Sequence, residues 1–140
     1  MAELKDKVNA EIENISVVLE ELKGIKDKPN KNTAELAGIG TFLHNIYNGI
    51  ENILKQILIS EDIKIPSSES WHQDLLIQAT DKKIITETTE KQLARYLAFR
   101  HFFIHAYGFM LDEQELKLLA DDVFNVYSSF KTEIDFFMSK

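Results

Sequence analysis

The chain has 140 residues, with no cysteine, two prolines and five glycines. Without cysteine there is no disulfide scaffold, no zinc knuckle and no thiol nucleophile, and the composition suits a reducing compartment. So few glycines and prolines exclude a low-complexity chain and argue against a turn-rich all-β fold. Long apolar runs are missing too. The longest stretch without Asp, Glu, Lys or Arg runs from Leu36 to Ile50 and still contains His44, Asn45 and Asn48, whereas a bilayer span needs about 20 apolar residues. The N-terminal MAELKDKVNAEIE is polar and acidic, unlike a secretory leader. These absences predict a soluble, cytoplasmic protein forming one domain over residues 1–140. A chain of this length buries about two thirds of its unfolded surface.

Positive charge is also scarce. Sixteen Lys and Arg against 23 Asp and Glu give a net charge of -7, which excludes nucleic-acid binding through a broad basic surface. Arginine is the scarcest cation, present only at Arg95 and Arg100. Both lie in a window from Lys91 to Leu111 that has no acidic residue and also holds His101 and His105.

What the sequence does have is helical period. Leu4, Val8, Ile12, Ile15, Leu19 and Leu22 mark a first helix, which Gly24 and KDKPNKN end. Asn32 with Glu35 has capping-box spacing and opens a second helix through Leu36, Ile39, Leu43, Ile46, Ile50, Ile53 and Ile57. Ser60 to Ser70 reads as a loop, Trp71 to Ala79 as a short helix, and Thr89 to Tyr107 as a fourth helix stopped by Gly108. Asp112 and Glu115 cap the last helix, whose stripe is Leu116, Leu119, Val123, Val126, Phe130, Ile134 and Phe137. Short connections predict an all-α, up-and-down bundle of four main helices plus a short one.

The fourth helix departs from simple amphipathicity. With Leu93 at 0°, Leu97, Ile104, Tyr107, Tyr96 and Phe103 define a core face, and Arg100 falls at about 340°, inside it. Phe99 and Phe102 lie on the other side, so the helix is apolar nearly all round. Such a helix is buried on two sides, and a second copy of the chain is the natural cover for the outer one, giving dimerisation through the fourth helix. Arg100 has two readings. In one it is structural, bridging to a carboxylate such as Glu51 on the second helix, whose polar stripe is His44, Asn48, Glu51 and Asn52. In the other it lines a cleft with His105, although the two are about 140° out of alignment on a continuous helix. They meet only if the helix end is distorted or if the site is shared across a dimer.

Arginine beside histidine, with no accompanying Ser or Cys and no carboxylate cluster at metal-ligand spacing, fits RNA cleavage by internal attack. The histidine moves a proton and the arginine stabilises the phosphorane-like transition state, with no metal required. His101 and His105 have zinc-compatible spacing, but no third ligand accompanies them. Gly38 and Gly40 read as close-packing positions. Trp71-His72 reads as capping and packing, or as support for the site.

The stretch RHFFIHAY, from Arg100 to Tyr107, has the pattern Arg, four residues, His, one residue, Tyr. It resembles the HEPN superfamily, in particular the HepT-like ribonuclease toxins of HEPN/MNT toxin-antitoxin systems. GTFLHNIYNGIENILKQI (40–57) and SWHQDLL (70–76) resemble the family's second helix and the short helix after it. The resemblance implies a metal-independent endoribonuclease of a type VII-like system that cuts cellular tRNA or mRNA. It places catalytic Arg100 and His105 at a homodimer interface. It also implies neutralisation by an MNT-type nucleotidyltransferase antitoxin that transfers AMP from ATP to Tyr107, so that the chain itself needs no cofactor. This chain lacks the Gly-Ser and paired-Asp pattern of the transferase. It departs from the family in having His101, a candidate accessory residue, where a small polar residue is common. The alternative reading is a non-catalytic helical module that binds or supports a nucleotidyltransferase.

Overall fold

In the computed structural model, which describes residues 2–65, 67, 69–107 and 110–140, the chain forms five helices. These are α1 (Ala2–Ile25), α2 (Thr33–Ser60), α3 (Trp71–Asp81), α4 (Glu87–His105) and α5 (Glu113–Met138), and the described residues contain no strand. Gly108 and the loop residues Pro66 and Ser68 lie outside the described residues.

The expected all-α bundle of four long helices and one short one is what forms, and α2 is its axis. It packs against α1, α3, α4 and α5. Its buried residues run round most of its circumference, from Ile39 and Leu43 through Tyr47 and Glu51 to Leu54 and Leu58. A helix buried round most of its circumference has to be central. Against it α1 buries Val8, Ile15 and Leu22, which are spaced seven apart and so line up along one seam. Gly49 allows the close approach: a Cβ there would meet Ile15 Cγ1 at 2.6 Å. Gly40 does the same for α4, since a Cβ there would meet the Phe103 ring at 2.5 Å, while Gly38 faces open space. Of the two glycines expected to serve packing, one does.

Local polar groups set the helix ends. Asn32 caps α2 in a full capping box, with the Glu35 N–H donating to Asn32 Oδ1 at 2.8 Å and the Asn32 N–H donating to Glu35 Oε1 at 2.9 Å. Asp112 Oδ1 accepts from the N–H groups of Gln114 and Glu115 at the start of α5. α4 begins two residues earlier than its apolar pattern suggests, because Thr86 caps it and Glu133 of α5 reaches over. The Thr86 N–H donates to Glu133 Oε1 at 2.7 Å, and the buried Thr89 hydroxyl donates to Oε2 at 2.6 Å. The Tyr96 hydroxyl donates to the Leu119 carbonyl at 2.7 Å, a second tie between α4 and α5.

Among the described residues no helix is long and apolar enough to cross a membrane.

Candidate functional site

α4 stays regular through His105, and the Ala106 N–H closes its end on the Phe103 carbonyl. Leu93, Tyr96 and Leu97 are buried as their positions on the helix predict. Ile104 and Tyr107, assigned to the same core face, are instead 49% and 69% exposed, whereas Phe103 in the same last turn packs on α2. Phe99, assigned to the opposite side, is buried at 7% exposure, with its ring stacked on Phe103 at 5.6 Å between centroids and at the edge of a groove shared with α5. The groove between α4 and α5, about 620 Å³, is lined by Phe99, Phe102, Met110, Leu118 and Leu119 among others. It contains none of the expected catalytic residues. α4 therefore has an apolar groove shared with α5 on one side and the polar stripe of α2 on the other.

The two arginines have different surroundings. Arg95 pairs with Asp122 of α5 at 3.2 Å in an exposed contact, so the window that is free of acid in sequence is not free of it in space. Arg100 is half-buried, and its Nε donates to Asn48 Oδ1 of α2 at 2.9 Å. No carboxylate pairs with it among the described residues. The expected structural bridge to Glu51 does not form, because Glu51 is engaged elsewhere: His72 Nδ1 lies 2.7 Å from Glu51 Oε2. The outer nitrogens of the Arg100 guanidinium thus have no protein partner among the described residues, which leaves a fixed cation ready for an anion.

The stripe on α2 organises this side. His44, Asn48 and Glu51 follow one another at helical spacing, and His44 Nε2 lies 3.5 Å from Asn48 Nδ2. The His44 ring also packs against Phe103 at 5.8 Å between centroids. Burial, and then the Arg100 charge, hold the His44 imidazole below the ordinary histidine pKa. Beneath the stripe, burial pushes the Tyr47 phenol far above its ordinary range. The Glu51 carboxylate adds to that shift and Arg100 opposes it, so both charges lie within electrostatic reach of one hydroxyl.

His105 and His101 lie on a different face. Both are exposed at the end of α4, with their rings edge-to-face at 5.1 Å. Among the described residues no hydrogen bond, ion pair or ring contact joins Arg100 to His105. Of the two ways they might meet, a distorted helix end is excluded by the regular α4. Tyr107 is exposed just beyond the helix, and its N–H donates to Met110 Sδ at 3.4 Å. No group of three or more His, Asp or Glu side chains able to hold a metal ion occurs among the described residues.

The residues that sequence reasoning undervalued are His44 and His72. Both lie far from Arg100 in sequence; the helix crossings bring His44 within electrostatic reach of it and tie His72 to Glu51, three residues along α2 from the Asn48 that holds Arg100. A signal was present, since His44, Asn48 and Glu51 are polar residues at i, i+4 and i+7 in the most apolar helix of the chain. His72, read mainly as a packing residue, is tied to that stripe through Glu51.

Comparison with known proteins agrees with this architecture. The solved structure of a cytosolic protein of unknown function, YutE from Bacillus subtilis, superposes with a TM-score of 0.75 at 16% identity, covering 96% of this chain and 90% of that one. At that identity the likeness concerns the fold alone. No curated protein matches. A family model described as HepT-like protein matches residues 38–140, which take in nearly all of α2, the whole of α3, α4 and α5, and every residue of the site. The chain is a member of the HepT-like protein family.

Proposed function

We propose that the chain is the endoribonuclease toxin of a HEPN/MNT-type toxin-antitoxin pair, acting on cellular RNA in the cytoplasm without a metal ion. The observation that carries this reading is Arg100: a half-buried guanidinium held through Nε by Asn48, with no carboxylate partner among the described residues. An arginine serving only the fold is expected to be paired with a carboxylate. One held in place and left unneutralised suits a phosphodiester.

The reaction is an internal transfer. The 2'-oxygen forms a bond to phosphorus and the bond from phosphorus to the 5'-oxygen breaks, giving a 2',3'-cyclic phosphate and a 5'-hydroxyl. One group removes the 2'-proton, another supplies a proton to the leaving oxygen, and Arg100 stabilises the charge that builds on the phosphorane. His105 is one of the proton carriers, with His101 as accessory. Because His105 lies round the helix from Arg100, the site is completed in a homodimer through α4, where one subunit's His105 serves the other's Arg100. Phe102, Ile104 and Met110, all more than 40% exposed at that end of α4, give such a contact apolar area. Exposed Tyr107 is the acceptor of AMP from a nucleotidyltransferase antitoxin, and a bulky anion there competes with RNA for Arg100.

The test is cleavage of total RNA in excess chelator by the native chain, Arg100→Ala and His105→Ala. Both substitutions are expected to abolish cleavage. Cleavage that requires metal, or survives both, sinks the mechanism, and a native chain that cleaves nothing leaves the non-catalytic module that supports a nucleotidyltransferase.

A further inference from the structure

Two protons move in the proposed cleavage, and the motif on α4 supplies an exposed histidine for one of them. The fold offers a second carrier on the Arg100 side. Glu51 is the one charged side chain in the buried core of the described residues, and an ionised carboxylate there costs several kcal/mol unless it is paired. Its partner is His72, at 2.7 Å. The pair is anchored at one end and open at the other: the Glu51 side chain is 4% exposed and that of His72 is 22% exposed.

With the carboxylate as acceptor, Nδ1 carries the hydrogen, and the lone pair of the neutral ring lies on Nε2. Nε2 has no protein partner among the described residues. The ring plane is held as well, since Trp71 stacks on His72 at 3.6 Å between centroids and Lys55 lies 4.2 Å over the Trp71 ring. A histidine whose tautomer and orientation are set by a buried carboxylate, with its far nitrogen free, is the arrangement used by general bases. Its anchor is also a close neighbour of the one that holds the anion site. Arg100 is held by Asn48 and His72 by Glu51, and those two anchors are i, i+3 neighbours on α2, with Cβ atoms about 5–6 Å apart.

We propose that His72, oriented by Glu51, is the general base at the Arg100 site. Its Nε2 takes the proton from the attacking 2'-hydroxyl as the 2'-oxygen bonds to phosphorus, and His105 gives a proton to the departing 5'-oxygen. This rests on the ribonuclease reading above and adds to it a residue outside the α4 motif. His44 is the poorer candidate, since its Nε2 faces Asn48 and its ring packs on Phe103.

The experiment compares the native chain, Arg100→Ala, His105→Ala, His72→Ala and His72→Asn. Asparagine keeps a donor toward Glu51 where Nδ1 stood and removes the titrating nitrogen. His72→Asn is expected to melt like the native chain and to lose about 10²-fold or more in cleavage, and His72→Ala is expected to regain part of its activity with added imidazole. An RNA with a bridging 5'-sulfur, whose leaving group needs no acid, is expected to rescue His105→Ala and not His72→Asn. Cleavage by His72→Asn within about threefold of native, against a general-base contribution of at least about 10², or its rescue by the 5'-sulfur substrate, overturns the assignment. If Arg100→Ala is inactive while His72→Asn is not, only this inference falls. If the native chain shows no cleavage dependent on Arg100, the ribonuclease reading falls with it.

Discussion

Alanine at Gly49 and alanine at Gly38 are expected to act in opposite directions, although both glycines lie inside α2. Replacing a helix-interior glycine by alanine contributes about 1 kcal/mol through backbone entropy. At Gly38 nothing lies within 4 Å of the added methyl, so the whole gain appears. For 140 residues it raises Tm by about 3–4 °C. At Gly49 the methyl meets Ile15 Cγ1 at 2.6 Å and Cδ1 at 2.8 Å, and Ile15 is 2% exposed and cannot swing away. Overpacking of that kind costs about 1–3 kcal/mol, which cancels the gain or exceeds it by up to about 2 kcal/mol, for a fall in Tm of as much as about 7 °C. Thermal unfolding followed by circular dichroism measures both variants, and the cycle with Ile15→Ala isolates the contact. Once Ile15 is truncated, Gly49→Ala should become stabilising, because the methyl then fills space that the isoleucine vacated. If Gly49→Ala stabilises the native background as much as Gly38→Ala does, the close approach of α1 and α2 at this point is wrong.

Four further outcomes are expected. Glu133→Ala removes the acceptor of the buried Thr89 hydroxyl and of the Thr86 N–H, at a cost of about 1–3 kcal/mol, read as an earlier denaturant midpoint with an unchanged m-value. His44 is held below the ordinary histidine pKa by burial and Arg100, so the unfolded chain takes up its proton first. Its contribution to stability is whole above the unfolded value of about 6.5 and is lost as pH falls through the depressed folded value. Melts at pH 7.5 and 5 should therefore show the native chain losing more stability on acidification than His44→Gln. Asn48→Ala leaves Arg100 without its acceptor and is expected to reduce RNA cleavage by about 10²-fold with little change in Tm, whereas equal cleavage would mean that Asn48 does not position the guanidinium. Tyr107→Phe should cleave as well as the native chain and resist silencing by the antitoxin and ATP. Silencing that persists would show occlusion without modification.

The balance between sequence and structure differs from one residue to the next. The capping box at Asn32, the Asp112 cap and the buried stripes of α1 and α5 were legible in the sequence because each is a local matter, decided by residues three or four apart. So was the motif on α4, and with it the family. The periodicity of α4 misplaced Ile104, Tyr107 and Phe99, because a helical wheel reports directions and not which of them a neighbouring helix covers. The sequence also grouped Arg100 with His101 and His105, its neighbours along the chain.

Local patterns in the chain thus dictate an all-helical protein in which one of two arginines, Arg100, falls on an apolar helix face. What that arginine faces depends on how the helices pack. A regular helix turns residues five apart well away from each other, so His105 points elsewhere. Meanwhile the crossing of α2 and α4 sets Asn48 and His44 against Arg100, and that of α2 and α3 pairs His72 with Glu51, one turn along α2 from Asn48. Contacts between distant segments follow from how helices pack, and no local pattern in the chain encodes them.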